Sequence, residues 1–332
     1  MKTETQHRSF GAQALHYFHR PHDGVALHPV GGAAAWRGPE VAGRDDWIVR
    51  FTAEDIAEIE AAATRCAGTP LASIGRADFP LPKLAPRIRG WAGELGGGRG
   101  FLFLRGLPVV RWGEELSSIA FWGLGHHLGV PGGQNPQEEL LGHVRDYGED
   151  AANPFVRKYR TAANIAYHCD LADVVGLLCL QPAKSGGASR IVSSVAVYDE
   201  LLRRRPDLVA RLYEPFLLDT RDEAREGRMP WVPVQPCCFA DGRLRTFYHS
   251  DYFRSVERHA AAPRFTDQER ELLDLYEEIA ASPDLYLDMN FEAGDLQLIS
   301  NHTVLHARTE YEDWPEPARR RHLLRLWLSL EP

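Results

Sequence analysis

The sequence predicts a mainly β protein with helices, built as a sandwich or barrel of short strands, and three observations carry that reading. Short apolar and β-branched runs recur between turn signals through the middle and the C-terminal part of the chain. Helical spacing is concentrated in the N-terminal third and in insertions between strands. No fixed-period repeat and no low-complexity linker interrupts the sequence, so one domain over 1–332 with an integrated helical N-terminal part is the simplest organisation.

Residues 1–50 are rich in His, Gly and Pro without periodicity and read as an irregular arm, with short strands at most, packed on the main body. Regular structure starts at Thr52. Phe51 and Ile56 are placed as a hydrophobic staple, and Asp55 lies in the first turn, where the helix dipole favours a carboxylate. This helix is expected to reach about Ala63. Helices are expected again from Leu84 to Leu95 and from Glu114 to His127, with the cluster Gly96-Gly97-Gly98 and a strand from Gly100 to Arg105 between them. Residues 51–150 thus form a helical support for a strand-built core over 160–330.

In that core, Ala172 to Leu180 and Ser189 to Ser194 read as strands joined by the reversing turn Lys184-Ser-Gly-Gly187. Val195 to Arg204 has helical spacing and stops at Pro206. Asp241-Gly242, flanked by Trp231 to Phe239 and Leu244 to Phe253, is a hairpin signal because both central residues tolerate positive φ. The capping box Thr266-x-x-Glu269 opens a helix that ends near Ser282. Strands follow at Leu285 to Asn290, Asp295 to Ser300 and His322 to Leu330.

Composition bounds the function. The chain has 38 Lys+Arg against 46 Asp+Glu, a formal net charge of −8, and 44% hydrophobic residues over 332 positions. A chain of this length buries a large core without staples, which excludes disordered and collagen-like classes. The acidic balance provides no basic face for a phosphate backbone, so no nucleic-acid partner is expected. The five cysteines are odd in number, without a C-x-x-C pair and with no signal peptide ahead of them. They read as free thiols of a reducing compartment, the cytoplasm by default. The apolar run from Val174 to Leu180 is far short of the ~20 residues of a spanning helix, so no membrane partner is expected. A homo-oligomer stays open.

The chemistry is concentrated in a few residues. Two His and one carboxylate can hold Fe(II) on one face of its coordination shell and leave positions for a co-substrate and dioxygen. The pattern needed is His-x-Asp/Glu at a strand end, where residues two apart share a face, with a second His brought in by the fold. Tyr167-His168-Cys169-Asp170 supplies it, and so does His249-Ser250-Asp251; spacing alone leaves both open. Their surroundings differ. Behind His168 and Asp170 come the apolar run, the turn Gly186-Gly187 and Ser189. Toward the C-terminus stand Asp295-Leu-Gln-Leu-Ile-Ser-Asn-His302-Thr-Val-Leu-His306-Ala-Arg308 and Arg321-His-Leu-Leu-Arg325.

On these motifs the chain resembles the taurine dioxygenase/2,4-dichlorophenoxyacetate dioxygenase family of Fe(II)- and 2-oxoglutarate-dependent oxygenases. The likeness is close from Asn164 to Ser194 and from Gly294 to Leu328, and looser over 50–150 and 220–285. It implies a double-stranded β-helix (jelly roll, clavaminate synthase-like) and makes His168, Asp170 and His306 the catalytic iron ligands. Arg321 falls on the arginine that pairs with the distal carboxylate of 2-oxoglutarate, and Ser189 falls where a Thr often bonds the same carboxylate. Arg325 falls on an arginine that in some members receives an acidic group of the substrate; Asn164 and Leu171 are placed at the substrate pocket. The chain departs from the family in a longer segment between His306 and the arginine pair, and in Ala-Ser after Gly187 where Asp-Thr is usual. The activity implied is hydroxylation of an unactivated C–H bond of a small carboxylate-bearing molecule, such as an amino acid or biosynthetic intermediate. Dioxygen and 2-oxoglutarate are consumed, and succinate and carbon dioxide are released. Desaturation or oxidative cyclisation by the same machinery, and a non-catalytic metal-binding sensor, are the alternatives.

The residues agree by their own chemistry. A buried dicarboxylate needs a charge-assisted, bidentate partner, which a guanidinium gives better than an ammonium. Arg321 and Arg325, four apart on a strand, face one side, and two buried arginines on one inward face are costly without anions to meet them.

The remaining motifs have plainer readings. His302, beside Asn301 in a bend, and His322, out of register with Arg321, compete with His306 for the distal ligand position. His249 and Asp251 read as pocket-lining or structural, Arg308 as the partner of a nearby carboxylate, and His126-His127 as cations ending a helix. Trp112, Trp122, Trp231, Trp314 and Trp327 read as core or lid packing, Cys169 as a small packed residue, and the acidic stretch from Glu269 to Glu278 as a solvated face.

Overall fold

The computed structural model describes residues 6–150, 153, 156–221 and 229–331. Two facing sheets form its centre. The larger runs in the order β1 (Ile48–Arg50), β2 (Phe101–Arg105), β14 (Leu296–Ser300), β6 (Val174–Gln181), β17 (His322–Ser329) and β3 (Val130–Gly132), with β4 (Gly142–Val144) also pairing with β17. The smaller runs β13 (Leu287–Met289), β8 (Ser189–Ser193), β15 (Val304–Arg308) and β5 (Ile165–His168), antiparallel throughout. Three two-stranded pairs decorate them: β7 (Ser185–Gly186) with β16 (Tyr311–Glu312), β9 (Phe216–Asp219) with β10 (Trp231–Val234), and β11 (Cys237–Ala240) with β12 (Arg243–Thr246). This is the jelly-roll architecture expected from the sequence.

Strand alternation sorts the side chains into layers. On β17, Leu324, Leu326 and Leu328 join the outer core, where helices Ala53–Arg65, Ala85–Gly97 and Val109–Leu128 cover the larger sheet. Trp327, on the opposite face, meets Ile191 of β8 and Val304 of β15 between the sheets, and Arg325 is buried on the same face. Behind the smaller sheet, Val192 and Leu305 pack under helices Ser194–Arg204 and Asp267–Ala280. Both helices with predicted N-caps have them. Thr52 accepts from Asp55 N while Asp55 accepts from Thr52 N, and Thr266 and Glu269 repeat the arrangement. Each such cap is worth about 1 kcal/mol.

Four expectations are corrected. The arm is not irregular throughout: Phe10–Phe18 is a helix capped by Ser9 and anchored by Tyr17, whose hydroxyl donates to Asn301 O at 2.9 Å. The helix expected from Glu114 is preceded by a further turn from Val109, with Gly113 at φ 70° as the break. Trp231 to Phe239 is two strands rather than one, because the chain breaks at Gln235-Pro236; only β11 forms the hairpin, turning at Asp241 (φ 52°) and Gly242 (φ 70°). Leu244 to Phe253 is extended only to Thr246, and Ser250–Ser255 is helical.

Gly294 gives a test of the fold. It enters β14 at φ +91°, and a Cβ there would stand 2.0 Å from the Leu107 carbonyl oxygen. Gly294→Ala combines a left-handed residue with a backbone clash, so a loss of about 2–4 kcal/mol is expected, read as a lower urea midpoint at unchanged m-value.

Candidate metal centre

β5 and β15 are neighbours, and their register sets His168 directly opposite His306. The chain leaves β5 at Cys169, whose N–H donates to Tyr248 O (2.8 Å), and turns so that Asp170 N donates to Asn301 Oδ1 (2.9 Å). Asn301 Nδ2 in turn donates to Ala172 O (2.9 Å), which fixes the loop carrying the carboxylate. His168 Nε2 lies 3.9 Å from Asp170 Oδ1, and His306 Nε2 3.7 Å from Asp170 Oδ2; the two rings are 4.1 Å apart. The three residues converge as one group, and the 3.7 and 3.9 Å separations fall below the roughly 4.2 Å that two donors can have at most when each stands about 2.1 Å from one metal.

Electrostatics suit a cation. His168 Nδ1 is 2.9 Å from Ala166 O, a carbonyl that can only accept, so Nδ1 is the donor there and Nε2 is the ring nitrogen that faces Asp170. Burial, with His168 beside it, pushes His306 down to about 3, and its imidazole is neutral at pH 7. Burial alone would raise Asp170, but Arg325, the two His and a hydrogen bond from Trp327 Nε1 (3.0 Å) hold its carboxyl below the usual range. Two imidazoles and a carboxylate are the donor set of non-haem Fe(II).

Arg325 stands beside this group. Its Nη1 is 3.9 Å from Asp170 Oδ1, and its guanidinium lies over Tyr159 and Trp327 at 4.6 and 5.3 Å. Gln134 holds it: Arg325 Nε donates to Gln134 Oε1 (2.7 Å), and Gln134 Nε2 donates to Arg325 O (2.8 Å). Arg321 is only 4% exposed and lies 5.1 Å from the Tyr311 ring, and its Nη1 has no hydrogen-bond partner among the described residues. Gly187, at φ +70°, leaves it room, since a Cβ there would be 3.2 Å from Arg321 Nε. Ser189 is buried and donates to Gln297 Oε1 (2.9 Å). Asn164 is exposed just ahead of β5, and Leu171 is half-buried against the core behind Asp170.

The competing motifs are separated from the centre by their partners. His302 Nε2 and His16 Nε2 both meet Asp173 at 2.8 Å, and His322 Nε2 meets His143 Nδ1 at 2.8 Å. His249 stacks on Tyr252 and adjoins His168, but Asp251 is paired with Lys158 at 2.6 Å, so the two do not act as a ligand pair. Glu114, His143 and His322 also converge, yet Arg145 Nη2 stands 3.3 Å from His143 Nδ1 and opposes a cation there. Cys169 is buried and burial pushes its thiol up to about 12, as suits a packed residue.

Three plainer readings are corrected. Arg308 pairs with no carboxylate among the described residues; it donates to the carbonyls of Thr161 and Ala163, and burial beside Arg321 pulls it down to about 10. His126 is no helix-end cation, since burial lowers it to about 4 and keeps it neutral. Trp327 is more than packing, because it donates to Asp170.

Comparison with known proteins places this arrangement. Residues 67–327 match the family described as taurine catabolism dioxygenase TauD, TfdA family. The chain belongs to this family. Membership makes it a dioxygenase that uses iron(II), 2-oxoglutarate and dioxygen, in keeping with the two-His, one-carboxylate convergence. It is 30% identical over 312 residues to FR-33289 synthase of Streptomyces rubellomurinus, covering 92% of each chain. It is 30% identical over 310 residues to the taurine hydroxylase-like protein SAT17 of Stachybotrys chartarum, covering 88% of this chain and 77% of that one. Its fold resembles that of asparagine oxygenase, whose structure was solved with Fe(II), 3-hydroxyasparagine and succinate, at a TM-score of 0.65 and 17% identity over 85% of this chain and 93% of that one. Among the described residues no helix is long and apolar enough to cross a membrane.

Proposed function

We propose that the protein hydroxylates an unactivated C–H bond of a small carboxylate-bearing substrate such as an amino acid, with His168, Asp170 and His306 holding Fe(II). The observation that carries this reading is the convergence of these three side chains beside the buried Arg325, whose one carboxylate neighbour within 4 Å among the described residues is Asp170, and the buried Arg321, which has none there. When bound, iron with 2-oxoglutarate and dioxygen supplies an oxidant able to take hydrogen from such a bond, and succinate and carbon dioxide are the co-products. The chain supplies the rest. Arg321 receives the distal carboxylate of 2-oxoglutarate, with Ser189 nearby. Arg325, kept in place by Gln134, offers its outer nitrogens to a substrate carboxylate, and Asn164 and Leu171 border the same space. Trp327 orients Asp170, and the apolar residues between the sheets limit access of water. Asparagine oxygenase, which shares the fold, supports an amino-acid substrate. All five cysteines are buried free thiols, which supports a reducing cytoplasm, and one oxygenase domain over 1–332 accommodates both the helical support and the core.

The test is anaerobic addition of Fe(II) and 2-oxoglutarate to the purified protein. A weak visible charge-transfer band is expected, and succinate release across a panel of amino acids and other small acids identifies the substrate. No band in the wild type overturns the reading. Arg321→Ala is expected to raise the KM for 2-oxoglutarate at least about tenfold, as loss of a buried charge-assisted pair does. Arg325→Ala should instead raise the KM of the substrate; the reverse pattern exchanges the two roles.

A further inference from the structure

Arg308 is buried, with 5% of its surface exposed, and the hydrogen bonds of its side chain account for only one of its three guanidinium-group nitrogens. Nη2 serves the carbonyls of Thr161 and Ala163, while Nε and Nη1 are buried without a partner among the described residues, as is Nη1 of Arg321. The two guanidinium groups share one ring: Arg308 lies 4.9 Å and Arg321 5.1 Å from the centroid of Tyr311. Register places Arg308 directly across from Ser189, and it is two residues beyond His306 on β15, hence on the same inward face. That step along a strand is about 6.8 Å, comparable with the length of a five-carbon dicarboxylate. Among the described residues neither guanidinium group has a carboxylate within 4 Å, Asp146 and Asp313 acting on them only from farther away, and an anion between them would meet their orphaned N–H donors.

We propose that Arg308 is a second cation for the distal carboxylate of 2-oxoglutarate, acting beside Arg321. This rests on the oxygenase reading above. The competing role is a strut that only clamps residues 161–163 through Nη2.

Anaerobic equilibrium titration of the Fe(II)-loaded protein with two ligands separates these roles: 2-oxoglutarate, and 2-oxopentanoate, which has the same carbon chain without the distal carboxylate. Arg308→Met is expected to weaken 2-oxoglutarate at least tenfold and to leave 2-oxopentanoate within twofold of wild type. A folded variant that binds 2-oxoglutarate within twofold of wild type overturns the proposal, as does equal weakening of both ligands. If Arg308→Met does not fold, Arg308→Lys keeps the charge but not the planar fork. Selective weakening of 2-oxoglutarate in that variant supports the proposal, and parallel weakening of both ligands overturns it. Wild-type protein that binds neither ligand overturns the oxygenase reading as well, which distinguishes the two failures.

Discussion

Asp170→Ala is expected to abolish the anaerobic charge-transfer band and to lower succinate release by more than about a hundredfold, the upper range for losing merely an outer partner of a metal ligand. The reason is local. Asp170 is the only carboxylate in the group formed with His168 and His306, and it faces both imidazoles at 3.7–3.9 Å. Its removal takes one of three donors and the one negative charge opposing Arg325 at 3.9 Å. Two imidazoles beside an unopposed guanidinium are a poor seat for a divalent cation. Circular dichroism should remain that of the wild type, since Asn301, which accepts from the Asp170 backbone N–H, is untouched. Retention of the band by a folded variant would remove Asp170 from the ligand set.

The largest effect on stability is expected at Asp173. This buried carboxylate accepts from His16 Nε2, His302 Nε2 and Leu330 N, each at 2.8 Å. It therefore joins the N-terminal helix, the turn between β14 and β15, and the chain after β17. Asp173→Ala leaves three donors in a closed site, and a loss of about 3–5 kcal/mol is expected. Calorimetry should show a Tm lower by roughly 5–10 °C. The pH dependence has a definite sign. Burial alone would raise Asp173, but His302 and His16 hold its folded carboxyl below the usual value. Its contribution is thus present above the unfolded pKa of about 3.9 and is lost as pH falls toward the folded value. Wild-type stability should fall over that acid range more steeply than that of Asp173→Ala; identical acid limbs would show that the carboxylate is not stabilised by the fold.

Much of this site was legible in the residues because its chemistry is local in sequence. His168 and Asp170 are two apart, Arg321 and Arg325 four apart, and the turn at Gly187 precedes Ser189, so a period of two in the sequence groups them, although Asp170 stands just beyond β5 and Arg321 just before β17. What lay outside that period was missed. Gln134 holds Arg325 from 191 positions away, and nothing in its neighbours marks it. Asp173 lies inside the run Ala172 to Leu180 that reads as a strand, and nothing in that run marks it as the acceptor for three distant donors. Trp327 and Arg308 were assigned to packing and to an ion pair, since a sequence does not show which buried donor finds an acceptor.

The sequence by itself determined the fold class, the capped helices and the His168-x-Asp170 pair as a candidate for holding a cation. Those follow from periodicity, capping chemistry and the donor set that Fe(II) requires. Tertiary structure alone decided that His306, rather than His302 or His322, stands opposite His168, because strand register is set by pairing across the sheet. It also decided that Arg308 has two buried N–H groups to spare. Both depend on which distant backbone lies alongside, and no local pattern encodes that.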